Sequence, residues 1–258
     1  MFNFNKNENS IYENQGYIKL DLFKQNDEFQ ELIEHFKEEL FLNLKSNNIS
    51  NLGGFRSGNL NINPGKHGPK FMNFLKLNNF TEYFESLTGD KLQDYEILYG
   101  GNLNLPKSKN QLFHTDGNWD PRMIILNIAT SKIDTSNGPM EVVNFSHKQF
   151  IPYWLFLIKY FLSKNKKKIM LEQGDILIRE HRLWHRGTSN KSLQNREMLG
   201  IMFLKTKAKT TQIKKKIDTL KIYDNMYDAN FKGKLKEFIF LYFKFILVLY
   251  KSINSLKK

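Results

Sequence analysis

The spacing of apolar residues along the chain changes period twice. Residues 1–26 are polar with scattered aromatics, and only Tyr17-Ile18-Lys19-Leu20 reads as a short strand. From Asp27 the period is helical: Phe29, Leu32, Ile33, Phe36 and Leu40 fall on one face, with acids and lysines between them. That pattern predicts an amphipathic helix packed on a sheet, with Asn26 or Asp27 as its N-cap. Residues 47–70 are broken by Gly53, Gly54, Gly58, Pro64, Gly65, Gly68 and Pro69, and are expected to be a loop long enough to serve as a lid. Residues 71–88 predict one or two short helices, with Phe80, Tyr83, Phe84 and Leu87 on one face and Gly89 as the stop.

From Tyr95 the period falls to two. Strands are expected at Tyr95–Tyr99, Asn102–Leu105, Gln111–Asp116, Arg122–Ala129, Met140–Phe145, from Gly174 through Ile178, and at Met198–Leu204. Turns separate them at 106–110 and at Asn137-Gly138-Pro139. Residues 146–170 interrupt this series with a helical pattern (Phe150, Tyr153, Trp154, Leu157, Ile158, Phe161, Leu162), followed by Lys166-Lys167-Lys168. Short strands at close spacing predict a closed, double-sheet β architecture with flanking helices, and no internal repeat is visible. The expected organisation is a domain over 1–204, its β core about 95–204, and an extension over 205–258.

Charge sharpens that division. The formal net charge is +13, but residues 205–258 hold 14 Lys, no Arg and 4 acids, leaving only +3 for the first 204 residues. Lysine without arginine and without a recognised binding module argues against a nucleic-acid-binding protein. Residues 205–230 read as a charged connector. Within 231–258, Phe238 to Tyr250 is apolar all round except for Lys244. Thirteen residues are too few to span a bilayer as a helix. A helix docked on the body, a dimer contact and a helix lying on a membrane surface all fit, and the basic flanks favour the membrane surface. There are no cysteines, so any metal must be held by His and carboxylates. The N-terminus lacks a secretory pattern, and a cytoplasmic protein, peripheral at the inner membrane face, is expected.

The candidate chemistry sits on His114-Thr115-Asp116 and on Trp184-His185-Arg186-Gly187, with Arg196 eleven residues after the second His. Two imidazoles and one carboxylate are the facial ligand set of non-haem Fe(II) oxygenases. An H-x-D pair on a strand puts both side chains on one face. His185 must then arrive on a strand folded back beside them, and a guanidinium at 196 suits a bidentate carboxylate. His181 shares a strand face with His185 and is a rival ligand. His35 reads as a surface residue. Arg56, Lys66 and His67 are candidates to reach a substrate from the 47–70 loop. Trp119 and Trp184 suit either packing or a pocket wall.

Four segments resemble the phytanoyl-CoA dioxygenase family of Fe(II)- and 2-oxoglutarate-dependent oxygenases. They are Phe113-His114-Thr115-Asp116-Gly117; Asn137-Gly138-Pro139-Met140-Glu141-Val142-Val143, closing with Ser146-His147-Lys148; Gly174-Asp175-Ile176-Leu177-Ile178; and Leu183-Trp184-His185-Arg186-Gly187 through Arg196. The resemblance covers about 95–204 and not the tail. It implies a double-stranded β-helix (jelly-roll, cupin-like) core. It further implies His114, Asp116 and His185 as iron ligands, Arg196 as partner of the 2-oxoglutarate C5 carboxylate, and a structural role for His147. Gln111, Asn102 and Asn127 are weaker cosubstrate candidates. Many relatives carry a hydroxyl residue two positions after the distal His. Here that position is Gly187, which leaves Thr188 or Ser189 to substitute. The implied activity is hydroxylation of a small, or lipid- or glycan-linked, organic substrate with O2, giving succinate and CO2, with ascorbate a useful additive in vitro. Asp116 stands where related halogenases have a small residue, which favours hydroxylation. A jelly-roll protein that binds metal or ligand without turnover is the competing expectation.

Overall fold

The computed structural model describes residues 1–3, 5–160, 164–206 and 218–255. In chain order, helix α1 (Lys6–Gln15), strand β1 (Tyr17–Leu20) and helix α2 (Asp27–Ser46) lead to strand β2 (Asn59–Asn63) and helices α3 (His67–Leu77) and α4 (Phe80–Thr88). Strands β3 (Tyr95–Asn104), β4 (Met123–Ala129) and β5 (Met140–Val143) follow, then helix α5 (Tyr153–Tyr160). Strands β6 (Lys166–Ile169), β7 (Ile176–Glu180), β8 (His185–Gly187), β9 (Arg196–Lys205) and β10 (Lys221–Tyr223) precede helices α6 (Phe231–Tyr242) and α7 (Lys244–Ser255). The strands form two antiparallel sheets, ordered β1-β7-β4-β9-β3-β2-β10 and β6-β5-β8. Ala129, Leu177 and Met198 of the larger sheet pack with Val142 and Ile169 of the smaller one, which makes the pair a jelly roll.

Alternation along the strands divides the larger sheet into an oily outer face and a polar inner one. Leu199, Ile201 and Phe203 of β9 join the cluster under the helices, with Ile124, Leu126 and Ile128 of β4 and Leu103 of β3. Phe23, Phe29, Phe36, Phe74, Phe80 and Phe84 belong to the same cluster. The intervening positions, Asn102 and Asn104, Asn127, Arg179 and Arg196, therefore face the space between the sheets. The 27–46 helix begins as expected: the Asn26 side chain accepts the Phe29 N–H at 2.8 Å.

Several expectations are corrected. The polar N-terminus contains α1, which buries Tyr12 and is capped by the Asn5 side chain at one end and Gly16 (φ 82°) at the other. Its single buried aromatic gives too little periodicity to register. The 47–70 segment is not all loop, since it holds β2 and the start of α3. The two strands expected at 95–99 and 102–105 are one strand, Tyr95–Asn104, continuous through Gly101, where a Cβ would lie 2.6 Å from the Met198 carbonyl oxygen. Gln111–Asp116 is not a regular strand and pairs with β8 through one bridge, His114 to His185. The Lys166–Lys168 run is part of edge strand β6, where lysines discourage further pairing. The helix in 146–170 is shorter than expected, and Phe161 and Leu162 lie outside the described residues. The connector over 205–230 supplies β10, which pairs with β2, while 207–217 lies outside the described residues.

The C-terminal segment forms two helices that pack on each other, with α7 also packed on α5. Gly233, Glu237 and Phe240 form the inward stripe of α6. Glu237, 1% exposed, accepts the backbone N–H groups of Gly54 (3.1 Å) and Ser57 (2.9 Å). Tyr227, Phe240 and Leu247 close a small core with Leu112 against it. Residues 256–258 lie outside the described residues. Among the described residues, no helix is long and apolar enough to cross a membrane.

Candidate active site

The bridge between His114 and His185 brings two segments seventy residues apart into register, with reciprocal backbone hydrogen bonds of 2.9 Å. Their rings lie 4.5 Å apart between centroids. Asp116 completes the group: its Oδ1 is 3.8 Å from His114 Nε2 and its Oδ2 is 3.5 Å from His185 Nε2. One ligand atom from each residue lies within 4.8 Å of the others, the spacing of three donors around one cation.

The backbone fixes which nitrogen is free. Each Nδ1 lies against the carbonyl two residues earlier, Leu112 at 2.8 Å for His114 and Leu183 at 2.9 Å for His185. A carbonyl only accepts, so each Nδ1 carries the proton and donates it, leaving Nε2 with a lone pair aimed at the shared point. Burial holds both imidazoles in this neutral form, lowering the pKa of His114 to about 4 and of His185 to about 3. Asp116 lies well below the usual carboxylate range: burial opposes ionisation, but Arg179 and the two imidazoles outweigh it. The donor set, neutral imidazoles with a fixed carboxylate, fits a divalent metal.

Arg179 is not singled out by the sequence pattern. It sits inside the hydrophobic run of β7, where a lone arginine reads as an exposed residue on an alternating strand. In the fold it faces inward, 5% exposed, and its Nη2 donates to Asp116 Oδ2 at 2.6 Å while Nε donates to Asn127 Oδ1 at 3.2 Å. The signal that could have found it is parity: with Ile176 and Ile178 on the outer face, position 179 must face the interior.

Arg196 shares that inner face. It is 3% exposed, its Nη1 donates to Asn102 Oδ1, and its Nε has no hydrogen-bond partner. Among the described residues no carboxylate pairs with it, and burial lowers its pKa to about 10. The Asn104 side-chain amide is likewise buried without a hydrogen-bond partner. A buried cation beside an unused donor is costly unless an anion completes it.

Gln111 takes up the space that Gly187 leaves. Its Oε1 accepts the Gly187 N–H at 2.9 Å, and a Cβ at 187 would stand 3.0 Å from that oxygen. Thr188 does not fill the missing hydroxyl role: it is buried and its Oγ1 donates to the Pro139 carbonyl at 2.7 Å. Ser189 lies on the cavity wall instead. Asn127 is tied to Arg179.

The remaining histidines are structural. His181 is buried, with Nε2 donating to Asn118 O at 2.9 Å and Nδ1 accepting the Met123 N–H, so it pins the 117–123 segment and is not a ligand facing the triad. His147 donates to Glu13 O and ties the body to α1. His35 is on the surface beside Glu31. Lys66 and His67 both pair with Glu39, 3.1 and 2.9 Å away, and do not reach the cavity; Arg56 does.

A cavity of about 1330 Å³ opens over His114 and Asp116. Trp119 and Trp184 are on its wall, as are Phe150 and Tyr153 beside α5 and Phe240, Leu247 and Tyr250 from the C-terminal helices. Trp184 stacks on Phe156 at 3.9 Å, with its indole nitrogen buried and unpartnered. Arg56, Lys107, Lys109, Lys191 and Lys244 line the same cavity, against Asp116 as its one acidic lining residue among the described residues.

Residues 94–198 match the model of the phytanoyl-CoA dioxygenase (PhyH) family. The match spans 105 of the 258 residues. Its bounds enclose the triad and Arg196 and stop short of the end of β9. Among solved structures, the whole fold is similar to SnoK, a non-haem α-ketoglutarate-dependent carbocyclase from nogalamycin biosynthesis (TM-score 0.61, 14% identity, 86% of this chain and 97% of that one). It is also similar to EvdO2 from Micromonospora carbonacea var. aurantiaca, solved with 2-oxoglutarate (0.59, 10% identity, 84% and 98%). EctD from S. alaskensis, solved with bound Fe, is a third (0.60, 14% identity, 78% and 76%). At these identities the likeness is one of fold. No curated protein matches the chain. The matched segment holds strands β3 to β8 and the start of β9, while β1, β2, β10, α1 to α4 and the C-terminal helices lie outside it.

Proposed function

We propose that this protein is a member of the PhyH family and an Fe(II)- and 2-oxoglutarate-dependent dioxygenase that hydroxylates a small organic substrate, free or lipid- or glycan-linked. The observation that carries the reading is a polar interior that offers two neutral imidazoles and a carboxylate, with a buried guanidinium lacking a carboxylate partner, among the described residues, on the same inner face. His114, Asp116 and His185 would hold the iron. Arg196 and Asn102 would hold the far carboxylate of 2-oxoglutarate, with Gln111 and Asn104 at its flank. Iron and cosubstrate, when bound, supply the oxidation: O2 and 2-oxoglutarate give succinate and CO2, and the second oxygen atom enters a substrate C–H bond.

The chain's own residues do the placing. The two backbone carbonyls orient the imidazoles, Arg179 holds Asp116, and the stacked wall of Phe156, Trp184 and Tyr153 keeps water from one side of the cavity. The aromatic wall opposite a set of lysines and Arg56 suits an amphipathic substrate that carries an anionic group. A lipid- or glycan-linked molecule at a membrane surface falls in that class.

The test is succinate formation from 2-oxoglutarate by the full-length protein with added Fe(II) and O2, beside D116A. Turnover by the wild type that D116A lacks supports the reading. Binding of metal and 2-oxoglutarate with no succinate under any substrate panel would favour a ligand-binding jelly roll instead.

A further inference from the structure

The C-terminal helices are two-faced, and only one face is used by the protein. On α6, Gly233, Glu237 and Phe240 point into the body, and the Glu237 carboxylate is latched to the Gly54 and Ser57 N–H groups. Phe231, Leu235, Phe238 and Tyr242 recur on the opposite side of α6 and are all exposed, Phe231 at 80%. On α7, Leu247 is buried, while Phe245, Leu249 and Ile253 are exposed at a four-residue spacing. Helix α5, packed on α7, adds exposed Trp154 and Ile158. An apolar face of this kind on a folded body marks an interaction surface.

Its charge names the occupant. Helix α5 carries Lys159 and no acid, and residues 231–258 contain seven Lys and a single acid, Glu237. That acid is buried and committed to the body. A second copy of the chain docked face to face would set these lysines against one another, which disfavours self-association. An anionic bilayer satisfies both the exposed aromatics and the lysines around them. Helices of twelve residues are about 18 Å long, too short to span a bilayer but suited to lie in its interface.

We infer that α5, α6 and α7 form a membrane-docking face that seats this protein on an anionic bilayer. Tyr242, Lys244 and Tyr250 are both exposed and on the cavity wall, so the cavity opens at the edge of that face. An amphiphile in the outer headgroup layer would then reach His114 and Asp116 without crossing bulk water. The hairpin thus docks on the body with one side and on the membrane with the other.

The experiment is flotation of full-length protein with vesicles of phosphatidylcholine alone or with phosphatidylglycerol added. Binding to the anionic vesicles should exceed that to neutral ones by about ten-fold or more and weaken with salt. F238S/F245S should lose about ten-fold or more of that binding with an unchanged melting temperature. K159E/K232E, which leaves the apolar stripe intact, should weaken binding to the anionic vesicles selectively. Wild-type protein that floats with neither vesicle, or both variants floating as wild type does, would overturn the inference. So would a stable dimer that F238S/F245S dissolves. Flotation needs neither iron nor cosubstrate, so its failure leaves the oxygenase reading untouched.

Discussion

The Arg179 guanidinium lies 2.6 Å from Oδ2 of Asp116, inside the barrel, and so ties the one carboxylate of the triad to the inner wall. A charge-assisted bond of this kind fixes the carboxylate's rotamer and leaves Oδ1 free toward His114. Arg179→Gln should weaken metal binding about 10- to 100-fold, with Arg179→Lys recovering part of it. Titration calorimetry with Mn(II) or Co(II) measures this. Unchanged affinity in Arg179→Gln would show the contact to be packing alone.

The triad itself should be indispensable. Asp116→Ala and His185→Ala each remove one of three protein donors, and succinate formation should fall on the order of 100-fold or more. Circular dichroism should stay near wild type, while Asp116→Ala should melt lower because it leaves the buried Arg179 guanidinium without its carboxylate. Retained turnover in either variant would move the metal elsewhere.

Arg196 should separate cosubstrate binding from metal binding. Arg196→Met removes a buried cation that lacks a carboxylate partner among the described residues, so the protein without ligand should be as stable as wild type or more so. Added 2-oxoglutarate should raise the melting temperature of wild type and not of the variant, with affinity lower by about 100-fold. Metal affinity should change little. An equal 2-oxoglutarate shift in both proteins would remove Arg196 from the site.

His185 gives a pH dependence with a defined sign. Its folded pKa, about 3, lies below the value near 6.5 of a solvated imidazole because burial disfavours the cation. The unfolded chain therefore takes up a proton as pH falls through about 6.5, while the folded chain does not until about 3. Stability is full above the unfolded value and is lost on acidification across that window. Between pH 7 and pH 5 the loss should be on the order of 2 kcal/mol from this group. Urea denaturation of wild type and His185→Gln at the two pH values checks it: the variant should show a loss smaller by that amount.

Glu237 should act as the latch of the C-terminal hairpin. Glu237→Ala leaves the Gly54 and Ser57 N–H groups without their acceptor and should destabilise the hairpin by about 1–3 kcal/mol. Hydrogen exchange should quicken in α6 and α7 but not in β4 or β9. Uniform quickening would mean that the hairpin and the barrel unfold together.

Much of this protein was decided locally and is legible in the chain. Residues 27–46 form a helix because Phe29, Ile33, Phe36 and Leu40 share a face whatever they pack against, and Asn26 caps it with its own side chain. The H-x-D pair, the second His and the following Arg are chemical types whose order and spacing point to one ligand set. Other features exist only because distant segments meet. Arg179 is an interior residue only because the smaller sheet covers the face of β7 that also carries Leu177, and Gln111 meets the Gly187 N–H only because its segment runs beside β8. The Gln111–Asp116 segment keeps its single bridge because its neighbours, not its own alternation, set its path. The tail shows the same division. Its lysines and aromatics are read directly from sequence, but which of them face the body was settled by the groove that receives Glu237 and Phe240, since an all-round apolar helix carries no stripe to choose a side.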